Sequence, residues 1–241
     1  MMDSRSMERY DRQIILLGVE NQKRLKDSRI LVVGAGGLGS AALNYLAVAG
    51  IGNIILIDNG IVELSNLNRQ ILYSEEDLGK PKAKIACEKL RKLNPEINIE
   101  CLEDTFTYEL GEELIKKVDI AIDALDSWEP RFILNKLCVK YRKPFVHAGI
   151  EGWYGQITTI FPGKGPCLYC LIRKARSREK IPVIGVTPGV LGVLEAAEAI
   201  KVILGIGEPL IGRLLIVDLY TMDFKIIAIK RDPNCPICSI L

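Results

Sequence analysis

Short apolar runs alternate with amphipathic stretches through the first 150 residues of the chain. Ile30 to Gly34 is an apolar run ending on glycine, the pattern of a strand buried on both faces. A glycine-rich turn follows. Residues 38–49, rich in Ala and Leu and free of proline, then predict a helix that stops at Gly50 and packs closely on a sheet. Asn53 to Asp58 reads as the second strand. From Pro81 to Leu93, charged and apolar positions alternate as in an amphipathic helix closed by Asn94 and Pro95, and Ile97 to Cys101 reads as the next strand. Residues 108–117 (helix), 118–123 (strand), 128–141 (helix) and 144–150 (strand) continue the alternation. This order predicts an α/β protein with a doubly wound, mostly parallel sheet.

Beyond residue 150 the pattern changes. Residues 156–161, 213–219 and 224–230 read as strands with few helices between them, an antiparallel C-terminal extension of the sheet, and Gly189 to Leu204 is the one clear late helix. Pro162 to Pro188, dense in Pro, Gly and basic residues, reads as loop. With no internal repeat or low-complexity linker, residues 1–241 are expected to form one unit, with 1–28 as an N-terminal helical arm.

Composition narrows the class. An apolar fraction of 49%, 26% charged residues and a mean hydropathy of +0.18 fit neither a disordered nor a membrane protein. Lys plus Arg total 32 against 30 Asp plus Glu, and a net charge of +2 offers no positive field on the scale of a nucleic-acid binder. The polar start, MMDSRSMERYDRQ, does not read as a signal peptide, and no apolar run reaches the roughly 18 residues of a membrane span. The expected location is the cytoplasm.

Three features carry chemistry. Gly34, Gly36 and Gly39 form G-x-G-x-x-G between a strand and a helix, and Asp58 ends the next strand 24 positions after Gly34. Glycines admit a phosphate to the backbone, the helix N-terminus supplies N–H groups, and the acid accepts from ribose hydroxyls, so this is a nucleotide site. Tight strand-to-helix packing is the competing reading. NAD or FAD is the default occupant, but the segment Ser65, Asn66, Leu67, Asn68, Arg69, Gln70 gives a hydride-transfer site nothing it needs. Lys82 also begins a helix, where a cation is misplaced unless an anion lies near. Taken singly, these charges read as solvated surface. The second feature is Asp126, at the C-terminal end of the fourth strand, where it suits either magnesium or the N-cap of the helix at Trp128; Asp123 suits a buried hydrogen-bonding role. The third is a pair of C-x-x-C motifs, Cys167/Cys170 and Cys235/Cys238, with 64 residues between them; the C-x-x-C spacing is better suited to metal thiolates than to disulfides. Free thiols or a redox pair are the alternatives. Cys87, Cys101 and Cys138 read as small buried hydrophobes, and His147, the one histidine, as a core residue.

Together these residues resemble the MoeB/ThiF/HesA family of ubiquitin-activating-type adenylyltransferases. The likeness spans nearly the whole chain and includes Arg9 to Gln13, Gly34 to Gly39, Asp58, Ser65 to Gln70, Lys82, Asp126 and both C-x-x-C pairs. It implies a Rossmann-like site that binds ATP without a Walker loop and adenylates the C-terminal glycine carboxylate of a small ubiquitin-like sulfur-carrier protein, releasing pyrophosphate. It implies Gly37, Asp58, Ser65 to Arg69 and Lys82 as ATP contacts, Asp126 on magnesium, zinc on the four cysteines, and a homodimer in which Arg12 reaches the partner's ATP. Two positions depart from the family pattern. Arg173 to Pro188 lacks the cysteine that several relatives carry there, so the reaction is expected to stop at the acyl adenylate, and Ser127 replaces the second residue of an Asp-Asn pair. An NAD-dependent oxidoreductase, and a non-catalytic binding protein of the same fold, are the rival readings.

Overall fold

The computed structural model describes residues 3–173, 175 and 181–239. Among these, eight strands form one sheet: β1 (Arg29–Val33), β2 (Asn53–Ile57), β3 (Asn98–Leu102), β4 (Ile120–Asp123), β5 (Phe145–Glu151), β6 (Tyr154–Ile160), β7 (Arg213–Asp218) and β8 (Asp223–Ala228). Their order is β3-β2-β1-β4-β5-β6-β7-β8. β1 to β5 pair in parallel, and β6, β7 and β8 are added antiparallel. The predicted mostly parallel sheet with an antiparallel extension is the observed one.

Helices cover the faces: α1 (Ser4–Arg9), α2 (Asp11–Leu17), α3 (Val19–Asp27), α4 (Gly37–Ala49), α5 (Lys82–Leu93), α6 (Tyr108–Lys116), α7 (Trp128–Lys140), α8 (Leu168–Leu171) and α9 (Val186–Leu204). Successive strand residues face opposite sides. Ile30 and Val32 of β1 join the core beneath α4, α5 and α9, while Leu31 and Val33 join the core beneath α6 and α7. Because both faces are covered, the central strands read as unbroken apolar runs.

The N-terminal segment is helical and is fastened to the C-terminal end of α4. Gly50 ends α4 in the left-handed region at φ 83°, and the Tyr10 ring lies against it where a Cβ would collide. Gln13 and Gln22 both donate to the Ala49 carbonyl, and Asn94 donates to the Ala47 carbonyl and the Tyr10 hydroxyl.

Three differences from the sequence reading concern this frame, the first being that residues 162–188, read as loop, carry α8 and the start of α9. The connection between β2 and α5 contains 3-10 turns at Leu64–Asn66 and Glu75–Asp77, each closed by its own side-chain caps and too short to leave a periodic signal. Cys87 and Cys101 are not independent apolar fillers. Cys87 on α5 faces Cys101 on β3 with Cα atoms 6.1 Å apart, and the two form a disulfide. Cys138 is a buried core residue as expected, and so is His147.

Candidate nucleotide site and cysteine cluster

The strand order reverses between β1 and β4, which places a crevice at their C-terminal ends, where open α/β sheets bind ligands. The loop after β1 enters that crevice as Gly34 to Gly37. Gly34 adopts φ 101°, and a Cβ there would stand 2.5 Å from the Ala124 carbonyl oxygen beyond β4. Gly39 backs onto the Gly34 carbonyl. These two glycines serve packing, whereas Gly36 has only the Gln70 amide nitrogen near, at 3.8 Å, and so leaves room for a ligand. α4 begins at Gly37, so its first-turn N–H groups point into the crevice without helical partners.

Asp58 anchors this loop. Its Oδ2 accepts from Ala35 N at 2.7 Å and its Oδ1 from Gly60 N at 2.7 Å. Tyr73, which sequence reasoning missed, donates to the Ala35 carbonyl at 3.0 Å, and burial pushes its hydroxyl's pKa up, so it remains a donor. A Cβ on Gly60 would sit 3.0 Å from Asp58 Oδ1 and 3.4 Å from Lys82 Nζ, so Lys82 flanks the carboxylate from the first turn of α5.

The segment 65–70 divides between frame and surface. The Asn66 side chain accepts from Glu63 N and shapes its turn, and Leu67 packs on the core. Ser65 and Asn68 are exposed. Arg69 donates to the Ser65 carbonyl at 2.8 Å and to Asn68 Oδ1 at 3.0 Å, with its stem beside Gly37. The Gln70 side chain is buried, and its Oε1 has no hydrogen-bond partner among the described residues. The start of α9 closes this side: Gly185 lies on the Asn68 carbonyl and Pro188 on Gly37. Neither Arg69 nor Lys82 is ion-paired among the described residues.

Asp126 lies across the crevice, two residues beyond Ala124. The N-cap of α7 is Ser127, not Asp126, so the capping alternative for Asp126 is removed. Its carboxylate is exposed and makes no hydrogen bond with a described residue. Asp123 behind it is fully buried. It accepts from His147 Nδ1 at 2.6 Å and from Leu125 N at 3.2 Å, and it is ion-paired with Arg131 at 3.3 Å. Burial opposes its ionisation, but Arg131 and His147 outweigh that and hold its carboxyl below the usual value. Burial depresses His147 despite the aspartate, so the imidazole is neutral near pH 7.

Arg12 is not brought to this crevice. It is exposed on α2 and shares that helix with Gln13, which binds the far end of α4. The 13 residues of α4 separate the two ends by about 20 Å.

The four motif cysteines do converge. Their sulfurs all lie within 4.8 Å of one another, with Cys167–Cys170 at 3.9 Å, Cys167–Cys235 at 3.6 Å and Cys170–Cys238 at 3.5 Å. A tetrahedron with metal–sulfur bonds of about 2.3 Å has edges near 3.8 Å, so the set fits one zinc-sized ion. A groove of about 580 Å³ runs between this cluster and α7, lined by Trp128, Phe132 and Tyr169. Its aromatic lining separates it in character from the glycine crevice. No described helix is long and apolar enough to cross a membrane.

A glycine loop on a switch-point crevice, flanked by two cations that pair with no described carboxylate, defines a nucleotide-binding α/β protein. Known proteins narrow this further. The ThiF family model matches residues 10–237, and the chain belongs to that family. It is 40% identical to the SAMP-activating enzyme E1 of Haloferax volcanii, over 99% of this chain and 91% of that one. It is 41% identical to the sulfur carrier protein adenylyltransferase of Thermus thermophilus, over 97% and 91% respectively. Among solved structures, Escherichia coli MccB with ATP superposes with a TM-score of 0.84 at 29% identity, over 95% of this chain and 73% of that one.

Proposed function

We propose that this protein uses ATP to adenylate the C-terminal glycine carboxylate of a small ubiquitin-like sulfur-carrier protein ending in Gly-Gly, with release of pyrophosphate. The observation that carries the reading is that Arg69 and Lys82, neither ion-paired with a described residue, flank one glycine loop, with the exposed carboxylate of Asp126 on the segment after β4. Such a loop suits a polyphosphate rather than a nicotinamide. The relatives named for carrier activation, and the MccB structure holding ATP, support the same substrate pair.

The chemistry follows from charge. A carrier carboxylate oxygen attacks the α-phosphorus, a P–O–C(acyl) bond forms, the bridge to the β-phosphate breaks, and pyrophosphate leaves with the electron pair. The nucleophile is already ionised, so no general base is required. The barrier lies in bringing a carboxylate to a phosphate that repels it, and Arg69 and Lys82 offset that repulsion. Gly36, Gly37 and the first turn of α4 receive phosphate oxygens. Asp58, with Ser65 to Gln70, orients the nucleoside. Asp126 would hold Mg²⁺, which would supply further positive charge beside the phosphates, and the Ser127 hydroxyl can still donate in place of the pattern's second residue.

Arg12 belongs to the neighbouring site of a homodimer. It is too far along α4 to serve its own loop, and it shares α2 with Ile15 and Leu16, which are 73% and 82% exposed and suited to burial against a second copy. Zn²⁺ at Cys167, Cys170, Cys235 and Cys238 ties the segment after β6 to the chain end as a closed, structural site. With those four cysteines on metal and Cys87 joined to Cys101, only Cys138 remains, buried in the core with its thiol pushed up by burial. No accessible thiol is left for a thioester, so the product is the acyl adenylate, and sulfur comes from a separate donor. The whole chain acts as one catalytic unit, in the cytoplasm.

The direct test is ATP–pyrophosphate exchange with a Gly-Gly carrier. Asp126→Ala should keep its circular-dichroism spectrum and lose exchange by about 100-fold. Undiminished exchange in that variant would remove Asp126 from the mechanism.

A further inference from the structure

The exposed Asp126 side chain makes no hydrogen bond or ion pair with a described residue, yet the backbone under it is held tightly from below. Leu125 N donates to Asp123 Oδ1 at 3.2 Å, and Arg131 Nη2 donates both to the Leu125 carbonyl and to Ala148 O, the latter at 3.1 Å. Both peptide groups of Leu125 are thereby tied to one buried ion pair. That pair is held in turn on two sides: His147 donates from β5 to Asp123 Oδ2 at 2.6 Å, and the Trp128 ring lies 5.0 Å from the Arg131 guanidinium carbon. All three ionisable side chains are more than nine-tenths buried.

Such a set is costly for stability alone. A buried ion pair seldom outperforms packed apolar residues of equal volume, and this one leaves His147 Nε2 without a hydrogen-bond partner among the described residues. Glu195, fully buried on α9, completes the polar cluster, and neither of its oxygens has a hydrogen-bond partner among the described residues. A polar core of this kind earns retention by fixing one geometry, and the geometry it fixes here is that of the segment from Ala124 to Ser127, between the glycine loop and α7.

We propose that Asp123, Arg131 and His147 form a single positioning unit that sets the backbone of Leu125 and so aims Asp126 into the crevice. None of the three touches the nucleotide site. They act through the two peptide groups of Leu125. The role given to Asp126 rests on the adenylation reading, whereas the hold on the Leu125 backbone does not.

Two variants separate these claims. Arg131→Lys keeps a positive charge beside Asp123 but removes the forked donation to Leu125 O and Ala148 O. His147→Asn keeps a donor toward Asp123 in a smaller side chain, and serves if the lysine variant fails to fold. Hydrogen exchange followed by mass spectrometry on peptides covering 124–127 should show the Leu125 amide exchanging at least about tenfold faster, with β1 and β2 protected as before. In pyrophosphate exchange, kcat should fall about 100-fold with little change in the KM for ATP, because alignment rather than nucleotide binding is lost. Placed on Asp126→Ala, either variant should cause no further loss. Unchanged Leu125 exchange, protection lost throughout the sheet, or a full additional loss on the Asp126→Ala background would each overturn the proposal. Undiminished activity of Asp126→Ala alone would instead refute the adenylation role of Asp126, leaving the amide result to judge the positioning unit.

Discussion

Breaking the link between Cys87 and Cys101 tests a feature of the fold that its composition does not announce. The disulfide joins residues 14 positions apart and closes a loop of about 15 residues from α5 to the edge strand β3. On the chain-entropy account, a loop of that size removes enough freedom from the unfolded chain to contribute about 3 kcal/mol. For a protein of 241 residues, each kcal/mol moves the melting temperature by roughly 2–4 °C, so reduction should lower it by roughly 6–12 °C. Cys87→Ser and Cys101→Ser should reproduce the shift, and their double variant should be no worse than either alone. Lys82 lies at the start of the same helix and is held there by neighbours other than the disulfide, so exchange activity well below the melting point should change little. Scanning calorimetry with and without reductant gives the shift. Thiol titration in denaturant with chelator gives the count, which should be five before reduction and seven after. Seven reactive thiols without reductant, together with an unchanged melting temperature, would refute the linkage.

Other consequences follow from the same geometry. Burial raises the Glu195 pKa well above its ordinary 4.5, so the folded state holds a proton that the unfolded state releases; stability should fall as pH rises from about 4.5 toward the folded value. Glu195→Gln should flatten that dependence in urea melts from pH 4 to 8, and an unaltered slope would mean that Glu195 ionises freely. Cys235→Ser should release zinc, measured by elemental analysis, and lower the melting temperature; retained metal would mean that the four sulfurs do not bind as one set. Arg12→Ala and Lys82→Ala should each be inactive alone, yet mixed dimers should regain part of the activity, because one composite site is whole. Absence of rescue would place Arg12 and Lys82 in one chain's site.

Much of this was legible because the sheet is buried on both faces. Its central strands, β1, β2, β4 and β5, are apolar runs that no surface element would carry, and the glycine loop after β1 announces the crevice. Asp58, Lys82 and Asp126 could be located because each ends a strand or begins a helix. What was not legible depends on contacts between elements. Cys87 and Cys101 read as core fillers because nothing local says that β3 lies beside α5. Glu195 reads as a polar position on an apolar helix, and only the burial of α9 between α4 and the sheet places it inside. Arg131 follows a proline in the first turn of a helix, where a solvated charge is the ordinary expectation, and its role comes from carbonyl groups on β5 and at Leu125. The 3-10 turns that carry Asn66 and Asp77 are fixed by side-chain caps rather than by any period.

The central claim is that a carrier's terminal carboxylate, not a hydride acceptor, reacts at this crevice. Intact-mass analysis of a Gly-Gly carrier incubated with the protein, ATP and Mg²⁺ measures it directly. The account predicts a carrier heavier by one adenylyl group at its C-terminal glycine, with one pyrophosphate released for each. An unmodified carrier under conditions where NAD binds and ATP does not would contradict it.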